Sequence, residues 1–373
     1  MNPKRVGRGR ARCVAAVLAL AAMLAPGAVA APAGATPAPI VVDTTADGHD
    51  VNPGDGVCAM TDGRCSLRAA YQEGMTANRA VSVPAGDYTL TLGQLYVAKT
   101  IGQHGVWSRT TPGFLVISGA GPGLTHISGG GGRVFDVATD GWVWASGMTI
   151  TGAGGMGVYS HQHGGAVHNH GTFTLSNATI RFANLNASTA MRDGGALYNA
   201  SGATALLVNV TIGNNYANER GGGVFNGGAL ELYSTTIAKS YGGAGLYTVA
   251  GSTTRLDHTL LGQNSGANCV GPITSAVHSM ADDASCTGVP NVGDARLDPY
   301  YGDGRTLPLL AGSPAIDGGA ATCPSSGSKD QRGQSRPADG NGDGFVACDV
   351  GAYEAAPPPR LRLQRPLRDW PFP

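Results

Sequence analysis

The sequence predicts an all-β chain wound as a β-solenoid, with one short helix ahead of the coils. Two interleaved repeat series carry that expectation. The first reads Gly164-Gly-Ala-Val-His-Asn169, Gly194-Gly-Ala-Leu-Tyr-Asn199 and Gly221-Gly-Gly-Val-Phe-Asn226, with a degenerate copy at Gly243-Ala-Gly-Leu-Tyr-Thr248; the starts lie 30, 27 and 22 residues apart. The second closes on Gly147-Met-Thr-Ile150, Asn177-Ala-Thr-Ile180, Asn209-Val-Thr-Ile212, Ser234-Thr-Thr-Ile237 and His258-Thr-Leu-Leu261, with ends 30, 32, 25 and 24 residues apart. Each period thus holds two short β-type runs between turns, and helical periodicity is missing from this region. Composition agrees. Glycine supplies 59 of 373 residues and charged residues only 13%. That is about twice the usual glycine and half the usual charge, as repeated tight turns require. A β-propeller or a sandwich would tolerate spacings from 22 to 32 less well.

The elements follow in chain order. Lys4, Arg5, Arg8, Arg10 and Arg12 precede an apolar run from Cys13 to Leu24, then Pro26 and the small residues Ala28-Val29-Ala30. The run is too short to span a bilayer and has the length of a secretory signal. Cleavage after Ala30 is expected, with residues 31–40 as a linker. It would remove five cations and leave 20 basic against 25 acidic residues. No basic patch results, which argues against nucleic acid as a partner. No later apolar run reaches membrane length, so the mature chain is expected to be secreted, without a membrane span, as a monomer. Residues 355–373 form a tail rich in proline and arginine.

Ser66 to Thr76 is the one helix expected before the coils, with Ser66 as N-cap and Leu67, Ala70 and Tyr71 on one face. It belongs to an N-terminal cap over residues 41–80. Short β-type runs follow from Val81 to Val83, Tyr88 to Thr91, Leu95 to Ile101, Phe114 to Ser118 and Val134 to Val137, so the coils are expected over 81–261. Alternation puts Val167, Leu197, Val224 and Leu246 on the interior face as an aliphatic ladder, with Asn169, Asn199 and Asn226 as an amide ladder at the following turn. His168, Tyr198, Phe225 and Tyr247 then point outward as an aromatic stripe. Residues 262–354 are expected to close the far end.

Six cysteines remain after cleavage, as three local pairs: Cys58 with Cys65, Cys269 with Cys286 and Cys323 with Cys348. Six cysteines admit fifteen pairings, so this choice rests on proximity, and disulfides rather than thiolate ligands suit an exported chain. Closing the first loop would contribute roughly 2.5 kcal/mol on the chain-entropy argument.

Both ends carry a family resemblance. Asp55-Gly-Val-Cys58, Gly63-Arg-Cys-Ser-Leu-Arg-Ala-Ala70 and Val83-Pro-Ala-Gly-Asp-Tyr-Thr-Leu90 resemble the CSLREA domain of secreted bacterial β-helix proteins, with Ala69 in place of the motif's glutamate. Ser313-Pro-Ala-Ile-Asp-Gly-Gly319, Asp330-Gln-Arg-Gly333, Arg336-Pro337 and Cys348-Asp-Val-Gly-Ala-Tyr-Glu354 resemble the choice-of-anchor Q domain. The Gly-Gly-Ala units between them are similar to polymorphic outer-membrane-protein repeats. The resemblance spans roughly residues 41 to 354. It implies a right-handed, single-stranded parallel β-helix of pectin-lyase-like form, and it implies no catalytic site.

Several residue groups could carry chemistry. Asp339-Gly-Asn-Gly-Asp-Gly344 matches the first half of a calcium loop, with Asp339, Asn341, Asp343 and Asp349 as the oxygen ligands; Val350 stands where a bidentate acid is expected. A structural calcium is the one cofactor expected. His161, His163, His168 and His170 are the densest group of transition-metal donors, although His168 also fills an ordinary repeat position. Asp193 and Arg220 enter successive repeats and would be neighbours, the weak candidates for acid–base work on an acidic polysaccharide. Leu256-Asp-His258 resembles part of a pectate-lyase signature. Asn177, Asn186 and Asn209 head glycosylation sequons to which no function is assigned. The leading functional expectation is a non-catalytic binder of an extracellular polysaccharide or cell-surface component, and the alternative is a polysaccharide lyase or hydrolase.

Overall fold

The computed structural model describes residues 37–358 apart from 104–106, 111–112, 153–162, 184–192, 300–305 and 324–327. Among these, the strands stack into three faces that the chain visits in turn, apart from Thr100–Gln103 and Trp107–Thr110, which pair antiparallel with each other and end the expected Leu95–Ile101 run at Val97. One face runs Ile40–Val41, Val81–Val83, Phe114–Gly119 and Trp142–Ser146, then the first halves of Thr172–Arg181 and Thr204–Gly213, then Ala229–Tyr233, Thr253–Asp257 and Ser275–Val277. The next runs from Gly86–Thr89 through Thr125–Ser128 and Thr149–Thr151 to Thr236–Ala238, Leu260–Gly262 and Met280–Ala281, joined through the second halves of the two long strands. The third face is a seven-stranded sheet from Leu95–Val97 and Phe135–Val137 to Leu246–Thr248 and Cys269–Val270. Pairing along all three is parallel, so the chain is a parallel β-helix.

Register follows the repeats. Val167 pairs with Leu197, Leu197 with Val224 and Val224 with Leu246, and all four side chains are buried. Cys269 takes the next position of this ladder, and its disulfide to Cys286 ties the last strand of the third face to the segment beyond it. The other two disulfides join Cys58 to Cys65 and Cys323 to Cys348. The amide ladder is present. Asn169 Nδ2 donates to Asn199 Oδ1 (2.8 Å) and Asn199 Nδ2 to Asn226 Oδ1 (2.9 Å), all buried.

One corner explains residue choices that the repeats alone did not. Between the first and second faces each of the last six coils turns on a residue with positive φ: Gly147 (66°), Asn177 (48°), Asn209 (54°), Ser234 (44°), His258 (50°) and His278 (43°). Glycine, asparagine and histidine tolerate this region best, which accounts for most of the row. Asn209 Nδ2 also donates to Asn177 Oδ1 (3.2 Å), so these two sequon asparagines serve the turn.

Helix α1, Leu67–Ala77, starts on the Ser66 cap, whose Oγ accepts from Ala69 N (3.0 Å). Asn78 ends it in the left-handed conformation. It packs on the first strands of the first face, Ile40–Val41, Val81–Val83 and Phe114–Gly119. The preceding loop covers its other side. Arg68 pairs with buried Asp47 (2.7 Å), Gln72 accepts from Asp50 N (2.8 Å) and Glu73 accepts from Gly54 N and Gly56 N. Polar residues thus fill a helix buried on nearly all sides, a feature the one-face pattern did not foretell.

Coil strands continue past residue 261 to Ala281. Beyond them the chain runs back along the flank instead of only closing an end. Gln331 Nε2 donates to Thr179 Oγ1 (2.6 Å), and its Oε1 accepts from Thr211 (2.5 Å). Ala352 N donates to Thr236 Oγ1 (2.9 Å) and Gly351 N to His258 O (2.9 Å). The Asp330-Gln-Arg-Gly333, Arg336-Pro337 and Cys348–Glu354 segments converge here in one buried polar cluster. Asp330 binds Arg332 (2.6 Å), Arg336 faces Glu354 (3.4 Å), and the Arg332 guanidinium lies over Tyr353 (3.6 Å).

Burial pushes the Asp349 carboxyl up to about 7, helped by the neighbouring charge of Glu354. The unfolded group titrates near about 3.9. Between those values the native state holds a proton that the unfolded chain has released, so this contribution is full at acid pH and fades as pH rises. From about pH 4.5 to about pH 7.5 the wild type should therefore lose stability relative to Asp349→Asn in urea titrations. A gap that stays constant across that window would contradict the assignment.

Candidate functional site on the third face

On the third face the outward positions stack in register: Tyr96, Asp136, His168, Tyr198, Phe225 and Tyr247. Neighbouring strands in a sheet lie about 4.8 Å apart, close to the stacking distance of aromatic rings. The rings use that spacing. Tyr198 and Phe225 lie 4.9 Å apart and 3° from parallel, and Phe225 and Tyr247 5.5 Å apart and 5° from parallel. The expectation of an exposed stripe needs correcting at Phe225. It is only 5% exposed, because Tyr198 and Tyr247 cover its two faces and the Arg220 guanidinium sits 4.9 Å from its centroid. What the stripe offers outward is therefore ring edges, hydroxyls and charged groups.

Asp193 and Arg220 are neighbours, as the repeat spacing predicts. They form an isolated parallel bridge, and the guanidinium grips the carboxylate twice, Nε to Oδ1 (2.9 Å) and Nη2 to Oδ2 (2.6 Å). Those bonds drive the Arg220 pKa upward. His163 Nδ1 accepts from the Asp193 backbone N (3.1 Å), which leaves the ring proton on Nε2, so its 3.4 Å approach to Asp193 Oδ2 is a contact and not a hydrogen bond. The Asp193 side chain is 1% exposed. A carboxylate so enclosed orients Arg220 and is poorly placed to take a proton from a substrate.

An Asp–His pair lies next along the stack. His168 Nδ1 meets Asp136 Oδ1 at 3.0 Å, and Arg133 Nη1 reaches Asp136 Oδ2 at 3.1 Å. Burial alone would raise the Asp136 carboxyl, but the His168 hydrogen bond and the charge of Arg133 together outweigh it and hold the carboxyl below its usual range. His170 Nε2 faces His168 Nε2 at 3.0 Å. Burial lowers the pKa of both His163 and His170, the charge of His168 adding to it, so both favour the neutral ring. Burial and the charge of Asp193 keep the Tyr198 hydroxyl protonated. Arg192 and His161 lie outside the described residues. Asp136 takes the outward position one coil before the Gly-Gly repeat copies, and Arg133 lies beside it, which is why the spacing of those copies did not single out Arg133 or Asp136.

Beside the rings is a shallow hollow of about 320 Å³, lined by Tyr198, Ser201, Phe225, Gly227 and the turn from Val249 to Ser252. Other charged groups lie elsewhere. Glu231 and Arg255 pair on the first face (3.2 Å), and buried Lys239 donates to Asp298 O (2.6 Å).

The calcium-loop residues are placed differently from one another. Asp339 accepts from Gly342 N (2.7 Å) and Gly344 N (3.1 Å), Asn341 Oδ1 from Asp343 N (2.8 Å), and Asp343 Oδ1 from Phe345 N (2.8 Å). Asp349 does not share this turn. It is buried, and its oxygens accept from Asp317 N and Ala355 N. Asp317 instead reaches the loop, accepting from Gly340 N (3.2 Å) and Asn341 N (2.9 Å).

Among the described residues, one group of three donors lies close enough to hold a metal: Asp257, His258 and His278. His258 Nδ1 meets Asp257 Oδ1 at 2.7 Å, while its Nε2 accepts from Ala320 N (3.0 Å). An Nε2 that accepts leaves the ring proton on Nδ1, which then donates to Asp257 and has no lone pair for a metal. His258, oriented by Asp257, therefore latches the C-terminal segment to the last coils. No protein-family model, curated protein or solved structure matches the chain. No helix among the described residues is long and apolar enough to cross a membrane.

Proposed function

We propose that the protein is a secreted, non-catalytic β-helix that binds an extracellular polysaccharide or cell-surface glycan on its third face. The observation that carries this reading is the hollow between Tyr198, Phe225 and the Val249–Ser252 turn; Arg220 lies over the Phe225 and Tyr247 rings of the same stripe. A pyranose presents both apolar C–H faces and hydroxyls. Ring edges, a serine hydroxyl and a guanidinium fixed by Asp193 supply partners for both. Three disulfides suit an oxidising, extracellular setting. The N-terminal and C-terminal motifs support membership of the CSLREA and choice-of-anchor Q group of exported β-helices. The Asp339–Gly344 turn, with Asp317 beside it, is where a structural calcium would sit.

The alternative is a lyase or hydrolase. The Asp136–His168 pair with Arg133, and the Asp193–Arg220 pair on the same face, favour it. Against it stand the enclosure of Asp193 and the dispersal of the remaining charges, with Lys239 buried and Glu231 and Arg255 on another face.

Electrophoresis through gels containing individual polysaccharides tests the binding place. Ala250 is exposed at the rim of the hollow. Ala250→Trp should abolish retardation by the ligand polysaccharide while leaving the melting temperature unchanged. Undiminished retardation of that variant would remove the hollow from the account.

A further inference from the structure

We propose that His168 and His170 chelate a divalent transition-metal ion through their two Nε2 atoms, with Asp136 as the positioning carboxylate. This does not rest on the glycan reading.

The tautomer follows from the neighbours. An ionised Asp136 can only accept, so the 3.0 Å contact to its Oδ1 requires the His168 proton on Nδ1. In the neutral ring the His168 Nε2 lone pair is then left for a ligand, and Nε2 faces His170 Nε2, 3.0 Å away. This is the carboxylate–histidine arrangement that fixes the ring and raises ligand basicity at metal centres. Arg133 holds the other oxygen of Asp136 at 3.1 Å and so sets the carboxylate in turn.

The spacing of the two nitrogens suits an ion between them. Metal–nitrogen bonds of about 2.0–2.1 Å at a tetrahedral centre put two nitrogens about 3.3 Å apart. The rings meet with centroids 4.5 Å apart and planes at 75°, and His170 is exposed, so a small rotation opens the gap. Binding moves the His170 proton to Nδ1, and water completes the coordination. Imidazole donors select ions such as zinc or copper over calcium or magnesium. The Asp257, His258 and His278 group lacks this property, because the Ala320 N–H occupies His258 Nε2 and keeps the proton on Nδ1.

The strand pair fixes why these two meet. His168 lies in the strand Val167–Asn169, and His170 follows at its end, where the chain turns toward Thr172–Arg181. Residues i and i+2 share a face, so both rings emerge on the same side.

Calorimetric titration of zinc chloride into the chelator-stripped full chain tests the site. One ion per chain is expected, with affinity reduced at least about tenfold by His170→Ala, which alters an exposed ring, and by Asp136→Asn. His278→Ala should leave the affinity unchanged. The proposal is overturned if the wild type takes up no zinc, if His170→Ala binds it as tightly, or if His278→Ala abolishes binding.

Discussion

Replacing Asn199 by alanine should lower the unfolding free energy by about 2–4 kcal/mol. The side chain is fully buried at the centre of the amide ladder. Its Nδ2 donates to both Asn226 Oδ1 (2.9 Å) and Ala229 O (3.0 Å), and its Oδ1 accepts from Asn169 Nδ2 (2.8 Å). Each group released keeps one other partner: Asn169 Nδ2 still donates to Thr204 O, and Asn226 Oδ1 still accepts from Gly228 N. The loss is therefore less than three fully orphaned groups would cost, yet more than an ordinary surface change. Asn199→Asp should be worse, because a buried carboxylate supplies acceptors where the turn needs donors. Urea denaturation measures both. A change below about 1 kcal/mol for Asn199→Ala would mean that the ladder records the turn geometry without stabilising it.

Arg336→Ala should be the most damaging single change to the C-terminal segment, at about 3–5 kcal/mol. Arg336 is buried, faces Glu354 at 3.4 Å and donates to Gly351 O (2.8 Å). Its loss leaves Glu354 buried without its counter-charge, although backbone N–H groups of Ala338 and Asp349 still reach it. Burial already raises the Glu354 pKa against the opposing pull of Arg336, so removing Arg336 raises it further. The penalty should accordingly shrink in acid, where Glu354 takes up a proton. Arg336→Met with Glu354→Gln should recover part of the loss, since breaking a buried pair costs more than replacing it. Limited proteolysis should cut the Arg336→Ala variant first between residues 306 and 358. Wild-type resistance in that variant would place the anchoring of the segment elsewhere.

Periodic features were legible in the sequence because each coil repeats the same environment. The Val167 to Leu246 ladder, the asparagine ladder and the Ser66-capped helix all follow from spacing and residue type. The adjacency of Asp193 and Arg220 followed in the same way. What was not legible depends on contacts without a period. Gln331 reaches Thr179 and Thr211 from 152 and 120 residues away, and no spacing predicts that return along the flank. Burial of Phe225 depends on a guanidinium arriving from the preceding turn. The positive-φ corner left a trace, since Gly147, Asn177, Asn209, Ser234 and His258 each stand three residues before the closing Ile or Leu of the second repeat series. Read for turn tolerance, that column identifies the corner.

The most direct test of the account follows binding and turnover together across a polysaccharide panel, with calcium and with chelator. New reducing ends and unsaturated products would be measured beside bound ligand. The account predicts retention on a polysaccharide with no product formed. Turnover that disappears in Asp193→Ala or Arg220→Ala would contradict it and make the third face an active site.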